Sequence, residues 1–235
     1  MANKGELKAV VFGATGAVGS EVLGQLLASP AWKEVVAIGR REAPVPEAYA
    51  QYPAGKLQQK VINMDNMEQE AAEAVRGADS VFCALGTTRK AAGSAEKFRR
   101  VDLDYVESAA KLASAAKVPH FSLVSSQGAN PNLWAPTWSL THSLYYAKIK
   151  GMAEEAVKAC SFPHTTILRP GLLDRRPHAR GVEAVMLKVV PSFPVSLVAE
   201  VMIDEAERFH RGQDSGAKPS VRVLSGNEIK RWPNA

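Results

Sequence analysis

Tyr146 and Lys150 form the clearest chemical feature of this 235-residue sequence. Residues four positions apart lie on the same face of a helix. A lysine ammonium beside a tyrosine favours the phenolate and lowers the pKa of the phenol from its ordinary value of about 10. Such a tyrosine can exchange a proton with a substrate oxygen while a hydride moves to or from a nicotinamide. Tyr145 is the poorer candidate, because Ile149 lies four residues after it.

A serine pair precedes this tyrosine at the end of a predicted strand. Ser125 and Ser126 directly follow the apolar run of residues 120–124. A hydroxyl at that place can donate a hydrogen bond to a substrate carbonyl and polarise it. Ser126 is the first choice and Ser125 is the alternative. Lys150 is expected both to tune the tyrosine and to hold the ribose next to the nicotinamide.

A glycine-rich segment near the N-terminus predicts where a dinucleotide binds. Gly13, Gly16 and Gly19 follow a short apolar strand at residues 9–12 and precede an amphipathic helix at residues 18–27. The first glycine permits a sharp turn, the second lets a pyrophosphate approach the backbone, and the third allows close helix packing. The free N–H groups at the helix start would face the phosphates. The intervening residues expected to contact the cofactor are Ala14, Thr15, Ala17 and Val18.

The second predicted strand covers residues 34–38. The residues that follow it select the dinucleotide. An acid at this place binds the ribose hydroxyls of NAD, whereas an arginine accommodates the 2′-phosphate of NADP. The sequence continues with Gly39, Arg40 and Arg41 and has no acid there. A planar, permanently charged guanidinium matches a phosphate well. We therefore expect NADP(H), with Arg40 as the main contact, assisted by Arg41 or Thr15.

Strands and helices alternate along the chain, which predicts an α/β fold with a Rossmann-type, doubly wound parallel sheet. Further strands are predicted at residues 57–62, 80–84, 120–124, 164–168 and 221–224. Helices are predicted at residues 67–75, 95–117, 144–159, 182–189 and 195–211. These elements are expected to form a single domain over residues 1–235, with residues 172–235 as a small extension on the substrate side.

Composition and charge exclude several other classes of protein. Apolar residues make up 46% and charged residues 23%, as in ordinary globular proteins. The net charge of +5 is spread along the chain, so no nucleic-acid partner is expected. Cys83 and Cys160 have no metal-ligand spacing, which predicts no metal site. No apolar stretch reaches about 18 residues and no targeting segment is evident, so no membrane span and a cytoplasmic location are expected.

Seven short motifs carry a resemblance to a known family. They are Gly13-Ala-Thr-Gly-Ala-Val-Gly19, Gly39-Arg40, Cys83-Ala-Leu-Gly86, Val101-Asp-Leu-Asp104, Val124-Ser-Ser-Gln-Gly128, Tyr146-Ala-Lys-Ile-Lys150 and Leu168-Arg-Pro-Gly171. In this order and spacing, the chain resembles short-chain dehydrogenases/reductases of the atypical or extended type. It is most similar to the Tat-interacting-protein-like oxidoreductases.

The resemblance implies further site residues. Asp65 would contact the adenine, and Leu85 and Gly86 would line the cofactor near its ribose. The border of the nicotinamide would be formed by Pro170, Gly171 and the backbone of Leu172. Active members of the family use NADP(H) and a serine, tyrosine and lysine set, which corresponds here to Ser126, Tyr146 and Lys150.

These observations predict an NADP(H)-dependent oxidoreductase of a small carbonyl or alcohol substrate. Two alternatives remain open: a non-enzymatic NADP(H)-binding regulatory protein, and an isomerase or epimerase that uses the same tyrosine. The part of the chain after residue 171 is short for the sugar-nucleotide lobe of extended enzymes, which argues against a nucleotide-sugar substrate. The resemblance also allows a protein partner, and the expected assembly is a monomer or a homodimer.

Overall fold

A parallel sheet of seven strands forms the centre of the molecule. The computed structural model describes residues 6–135, 142–174, 192–213 and 219–233. The strands are β1 Leu7–Phe12, β2 Trp32–Gly39, β3 Leu57–Val61, β4 Ser80–Cys83, β5 His120–Val124, β6 His164–Arg169, β7 Leu173–Asp174, β8 Phe193–Pro194 and β9 Ser220–Ser225. The order across the central sheet is β3-β2-β1-β4-β5-β6-β9, and β7 pairs separately with β8.

Helices cover both faces of this sheet. They are α1 Ala17–Ala28, α2 Met67–Glu70, α3 Ala72–Val75, α4 Arg89–Ala92, α5 Ala95–Arg99, α6 Tyr105–Ala115, α7 His142–Ala159, α8 Val195–His210 and α9 Gly226–Lys230. One face packs against α2, α3, α5, α6 and α7. The opposite face packs against α1, α8 and α9. The expectation of a Rossmann-type, doubly wound parallel sheet is therefore confirmed.

Strand β1 shows how the sequence builds these two layers. Val10 and Phe12 point into the core on the α6 and α7 side, and Ala9 and Val11 point into the core on the α1 side. Successive side chains of a strand point to opposite faces, so a strand covered on both sides must be apolar at every position. All four side chains are fully buried.

The prediction of one continuous helix over residues 95–117 is wrong in the middle of that range. Helix α5 is followed by a π-helical turn at Arg100–Asp104 before α6 begins. A π turn inserts a residue and shifts the angular position of the side chains, and such turns are frequent at functional sites. Within this stretch, Asp102 is buried, Val101 and Tyr105 line a cleft, and Tyr105 also packs against the core.

Several short elements also differ from the prediction, because they contain too few residues to show a hydrophobic period. The helix predicted over residues 67–75 is the pair α2 and α3, which meet at Ala71. The elements α4, β7, β8 and α9 were not predicted, and the helix predicted at residues 182–189 lies outside the described residues.

The segment after residue 172 contributes to both the sheet and the cleft. Helix α8 packs against α1, and β9 is the seventh strand of the central sheet, beside β6. Leu173 in β7 lines the cleft described below. Among the described residues of this segment, α8 and β9 therefore complete the central layers, and Leu173 is placed at the candidate site.

Candidate active site

The carboxyl ends of the central strands open into one cleft. Three neighbouring compartments of about 660, 1070 and 840 Å³ lie along this edge, and we name them the β2, central and β6 compartments. Gly16, Leu85 and Gly86 line both the β2 and the central compartments. Ser125 and Tyr146 line both the central and the β6 compartments. This edge is where open α/β sheets bind ligands.

The turn between β1 and α1 requires glycine at two positions. Gly13 has a φ of +85°, and a Cβ there would lie 2.6 Å from the Ala84 carbonyl oxygen. A Cβ on Gly19 would overlap the carbonyl oxygen of Gly13. Gly16 closes the turn, since its N–H donates to the Gly13 carbonyl at 2.9 Å. The helix can therefore start directly beside the strand end.

The start of α1 offers hydrogen-bond donors to the central compartment. Gly16 is the N-cap residue, and within the described ranges no side chain caps this end of the helix. Gly16, Ala17 and Val18 all line the compartment. Unpaired N–H groups and the positive end of the helix dipole favour an anion at such a place.

Two arginines line the β2 compartment, and a hydrogen-bonded acid lies just outside its lining. Arg40 and Arg41 follow β2, are exposed, and line the compartment. Asp65 lies next to the lining: the Tyr105 hydroxyl donates to its carboxylate at 2.7 Å, and Arg100 Nε lies 3.5 Å from the same oxygen. Partial burial and the hydrogen bond to Asp65 raise the pKa of Tyr105.

Helix α7 presents Tyr146 and Lys150 to the central compartment. The Tyr146 ring lies beside Phe98, with 5.7 Å between ring centroids. Lys150 is buried, with Nζ 3.1 Å from Asp102 Oδ1 and 3.5 Å from the Val124 carbonyl oxygen. Burial alone would lower the pKa of Lys150, but the Asp102 carboxylate, together with Tyr146 and Cys83, raises it above the ordinary value.

The two serines after β5 have different surroundings. The Ser125 hydroxyl donates to Glu154 Oε1 at 2.5 Å, and this buried carboxylate also accepts from Arg169 Nε at 2.9 Å. The Ser126 hydroxyl is buried and has no hydrogen-bond partner among the described residues. Ser126 lines the β6 compartment beside Tyr146. The geometry therefore leaves Ser126, and not Ser125, available to a bound molecule.

Backbone pairing past the strand ends fixes the wall of the β6 compartment. The N–H of Ser125 donates to the Leu168 carbonyl at 2.8 Å, and the N–H of Gln127 donates to the Pro170 carbonyl at 2.9 Å. The wall itself includes Pro170, Gly171 and Leu172. The segments after β5 and β6 therefore keep a fixed separation at the cleft.

The fold brings most of the predicted site residues to one cleft. Its lining includes Gly13, Ala14, Thr15, Gly16, Ala17, Val18, Arg40, Arg41, Leu85, Gly86, Ser126, Tyr146, Lys150, Pro170, Gly171 and Leu172. Gly19 lies behind the turn, and Asp65 lies just outside the lining. Sequence reasoning did not assign Asp102 and Glu154. Glu154 follows Lys150 by four residues, a spacing that indicates the same helix face.

Other features expected from the sequence concern metals, thiols and membranes. Within the described ranges, no cluster of His, Cys, Asp and Glu side chains could hold a metal ion. Burial raises the pKa of the Cys83 thiol to about 11, and Cys160 is also a free thiol. None of the helices in these ranges has both the length and the hydrophobicity that a membrane span needs.

Known proteins resemble this chain over most of its length. A family model described as NAD(P)H-binding matches residues 13–208. Protein FMP52-1, mitochondrial, from Scheffersomyces stipitis is 33% identical over 95% of this chain and 97% of its own length. Protein HTATIP2 from Rattus norvegicus is 36% identical over 79% of this chain and 71% of its own length.

Solved structures with lower identity share the fold. The oxidoreductase ylbE from Lactococcus lactis has a TM-score of 0.65 and 21% identity, and the match covers 96% of each chain. MoeE5 in complex with UDP-glucose and NAD has a TM-score of 0.67 and 16% identity, with 94% of this chain and 79% of that chain covered. At this identity, the likeness shows the fold alone.

The expected cytoplasmic location is wrong by these comparisons. The FMP52 relatives from Scheffersomyces stipitis, Candida glabrata, Emericella nidulans and Aspergillus clavatus are all named mitochondrial proteins. The expectation rested on the lack of a recognisable targeting segment, and that absence does not identify a compartment.

The family match and the relatives agree with the residues of the cleft. The matched region starts at Gly13, in the glycine turn, and includes Tyr146 and Lys150 on α7. The resemblance stated from the sequence motifs is confirmed by HTATIP2 and the FMP52 proteins. The chain belongs to the NAD(P)H-binding family and is an atypical short-chain dehydrogenase/reductase of the Tat-interacting-protein-like group.

Proposed function

We propose that this protein is an NADP(H)-dependent oxidoreductase that acts on a small carbonyl or alcohol substrate. The observation that carries the proposal is the buried hydroxyl of Ser126, which has no hydrogen-bond partner among the described residues. Ser126 lines the β6 compartment with Tyr146, and Tyr146 lines the central compartment with Lys150. A buried polar group without a protein partner is rare and needs an explanation, and a bound substrate oxygen supplies one.

The residues of the cleft fit a nicotinamide dinucleotide. The turn that a Cβ would fill at Gly13 and the uncapped start of α1 suit a pyrophosphate. Arg40 suits a 2′-phosphate, because it is exposed at the end of β2 with no acid at the two adjoining positions. Asp65 would border the adenine. The remaining contacts would come from Leu85, Gly86, Lys150, Pro170, Gly171 and Leu172. When bound, this cofactor supplies hydride exchange with the substrate carbon.

The chain itself would supply hydrogen bonding and proton transfer. The Ser126 hydroxyl donates a hydrogen bond to the substrate oxygen and polarises its bond to carbon. The Tyr146 hydroxyl gives a proton to that oxygen in reduction, and the Tyr146 phenolate accepts one in oxidation. The Lys150 ammonium stabilises negative charge on the tyrosine oxygen and holds the cofactor ribose. Ser125 is committed to Glu154 and takes no part.

Fluorescence titration of the purified protein with NADPH and NADH tests the cofactor assignment. We expect NADPH to bind more tightly, and Arg40→Ala to weaken NADPH binding by roughly 10- to 100-fold, since a hydrogen bond to a charged group contributes about 1.5–3 kcal/mol. NADH binding should not change. Arg76→Ala is the matched control, because that exposed arginine pairs with Glu73 at 3.1 Å and does not line the cleft.

A screen of aldehydes and ketones with NADPH then tests the activity. Steady oxidation of NADPH by any of these compounds supports the proposal. Tight NADPH binding without turnover of any carbonyl compound would replace it with the regulatory alternative. Absence of binding of both dinucleotides would remove the proposal altogether.

A further inference from the structure

Lys150 is paired with a carboxylate beneath the cleft. Lys150 Nζ lies 3.1 Å from Asp102 Oδ1, and the two side chains are only 6% and 1% exposed. The second oxygen of Asp102 accepts from the Thr87 N–H at 2.8 Å. Moving an ammonium out of water without a compensating charge is costly, so a lysine at this depth loses its proton unless a partner is present. Asp102 is that partner.

The π turn is the reason why Asp102 reaches this place. The turn at Arg100–Asp104 sends Asp102 inward, and Asp104, two residues later, pairs at the surface with Arg99 at 3.4 Å. A regular helix over residues 95–117 would give these side chains a different angular spacing. The local backbone irregularity therefore coincides with the delivery of a carboxylate to the candidate site.

The pair lies directly under the lining of the cleft. A Cβ on Gly86 would be 3.2 Å from Asp102 Oδ1 and 3.6 Å from Lys150 Nζ. Asp102 itself lines the central compartment together with Tyr146 and Lys150. The ion pair is therefore within reach of the space that we assign to the cofactor and the substrate.

The other groups around Lys150 do not replace the carboxylate. Tyr146 lies one turn earlier on the same helix, and the Val124 carbonyl of β5 accepts a hydrogen bond at 3.5 Å. Cys83 of β4 is an uncharged thiol at neutral pH, because burial raises its pKa to about 11. Of the groups named here, Asp102 is the only carboxylate; burial raises its pKa, and the Lys150 ammonium and the Thr87 N–H oppose that shift.

We propose that Asp102 is a positioning residue of the active site, whose carboxylate keeps the Lys150 ammonium charged and fixed beside Tyr146. The proposal rests on the function proposed above and assigns a device by which the site operates. The Lys150 ammonium is charged because the Asp102 carboxylate is its counter-ion. The position of the ammonium group is set by the π turn that holds Asp102. The carboxylate acts only through Lys150.

NMR titration of lysine side chains labelled with ¹³C at Cε tests the proposal without requiring turnover. Lys150→Arg assigns the signal of Lys150. In the wild-type protein we expect Lys150 to stay protonated through the neutral range, and in Asp102→Asn to lose its proton at lower pH. Asp104→Asn is the matched control, since it removes a surface carboxylate from the same turn, and it should leave the titration unchanged.

Two outcomes of this titration would overturn the proposal. One is an unchanged Lys150 titration in Asp102→Asn. The other is a wild-type Lys150 that is already neutral near neutral pH. The second outcome needs no variant, and where Asp102→Asn does not fold, Asp102→Ser takes its place in the comparison.

The pH profile of turnover separates this inference from the proposed function. If the wild-type protein turns over a carbonyl compound, the alkaline limb of kcat should move toward neutral pH in Asp102→Asn, with a loss of roughly 10- to 100-fold at alkaline pH. Toward acid pH the variant should approach the wild-type value, and Asp102→Glu should restore the profile. A uniform loss at every pH would indicate a merely structural role and overturn the inference. A wild type without turnover would remove the function, while the NMR titration still decides the state of Lys150.

Discussion

Two buried polar clusters lie at opposite edges of the same strands, and they differ in how their polar groups find partners. The carboxyl-edge cluster consists of Asp102, Ser126, Tyr146 and Lys150. The amino-edge cluster consists of Ser80, His120, His164, Thr166 and His210. Strands β4, β5 and β6 begin at the amino-edge cluster and end at the carboxyl-edge cluster.

Four side chains of the amino-edge cluster, those of Ser80, His120, Thr166 and His210, bond to one another. His120 is fully buried, with Nδ1 3.0 Å from Ser80 Oγ and Nε2 3.1 Å from Thr166 Oγ1. Ser80 Oγ also lies 2.9 Å from His210 Nε2, and the rings of His120 and His164 stack with 5.4 Å between centroids. Burial lowers the pKa of His120 well below its ordinary value, and the two neighbouring histidines lower it further. This network therefore holds His120 as a neutral ring.

The carboxyl-edge cluster keeps a charge and leaves a hydroxyl open. Lys150 has its counter-ion, but Ser126 has no partner among the described residues and faces a cavity. Satisfied polar networks make a structure rigid and specific, whereas an unsatisfied group can take a water molecule, an ion or a ligand as its partner. The comparison teaches that buried polarity alone does not identify a functional site. The proposed site depends on a second observation, namely that the residue with the unpartnered hydroxyl lines a cleft.

Among the variants that test this comparison, Tyr146→Phe should have the largest effect on turnover. Removing a group that transfers a proton typically costs 10²- to 10⁴-fold, so we expect a loss of about that size in kcat with any carbonyl substrate found. Thermal unfolding should barely change, because Tyr146 is partly exposed and retains its ring beside Phe98. Steady-state kinetics and a thermal melt measure the two quantities.

Tyr145→Phe is the control for this experiment. Tyr145 is the buried neighbour of Tyr146, and its hydroxyl makes a long hydrogen bond of 3.5 Å to the Ala95 carbonyl. We expect its turnover to remain close to that of the wild type. Equal losses in the two variants would show that the carboxyl-edge cluster owes its activity to packing and not to the phenol of Tyr146.

The adjacent serines should separate activity from stability. Ser126→Ala should lower kcat/KM by roughly 100-fold, the usual cost of one donor to a reacting oxygen, with little change in unfolding. Ser125→Ala removes a hydrogen bond to the buried Glu154 carboxylate and should cost about 1.5–3 kcal/mol of stability. Turnover and denaturant unfolding of both variants test the pair, and a reversal of the two effects would assign the open role to Ser125.

Lowering the pH should reduce the free energy of unfolding through the amino-edge cluster, and this is the smallest of the expected effects. The folded state holds His120 neutral below the pKa of about 6.5 that an unfolded histidine has, so the unfolded state binds more protons there. Stability is therefore fully present above this pH and falls below it by at most about 1.4 kcal/mol per pH unit for each such histidine. Denaturant unfolding across the acid range measures this slope.

His120→Asn should reduce that slope, since asparagine does not titrate. NADPH affinity at neutral pH should not change, because the amino-edge cluster lies at the opposite end of the strands from the cleft. A slope that remains at its wild-type value would show that other groups cause the acid sensitivity.

Much of the fold was predictable because its signals are local. The alternation of strands and helices placed β5 correctly at His120–Val124, and the 3.6-residue period placed α8 to within one residue of its observed end. The exceptions are short or irregular. Two-residue strands such as Leu173–Asp174 show no period, and no local pattern announced that the predicted long helix contains the π turn at Arg100–Asp104.

The sequence by itself determined the chemical types and the order of the site residues. The glycine spacing from Gly13 to Gly19, Arg40 after β2, and the four-residue step from Tyr146 to Lys150 depend only on neighbours along the chain. Local geometry converts such spacing into a turn, a strand end and a helix face, so these features are readable without a structure.

Only the tertiary structure decided which of these groups are paired and which are open. The choice between Ser125 and Ser126 depends on Glu154, 29 residues after Ser125, and the state of Lys150 depends on Asp102 on another element. Partners so far apart in sequence meet only after the sheet and its helices have packed. The electrostatics of the site are therefore a property of the packed fold, because burial and long-range pairing decide the charge of each group.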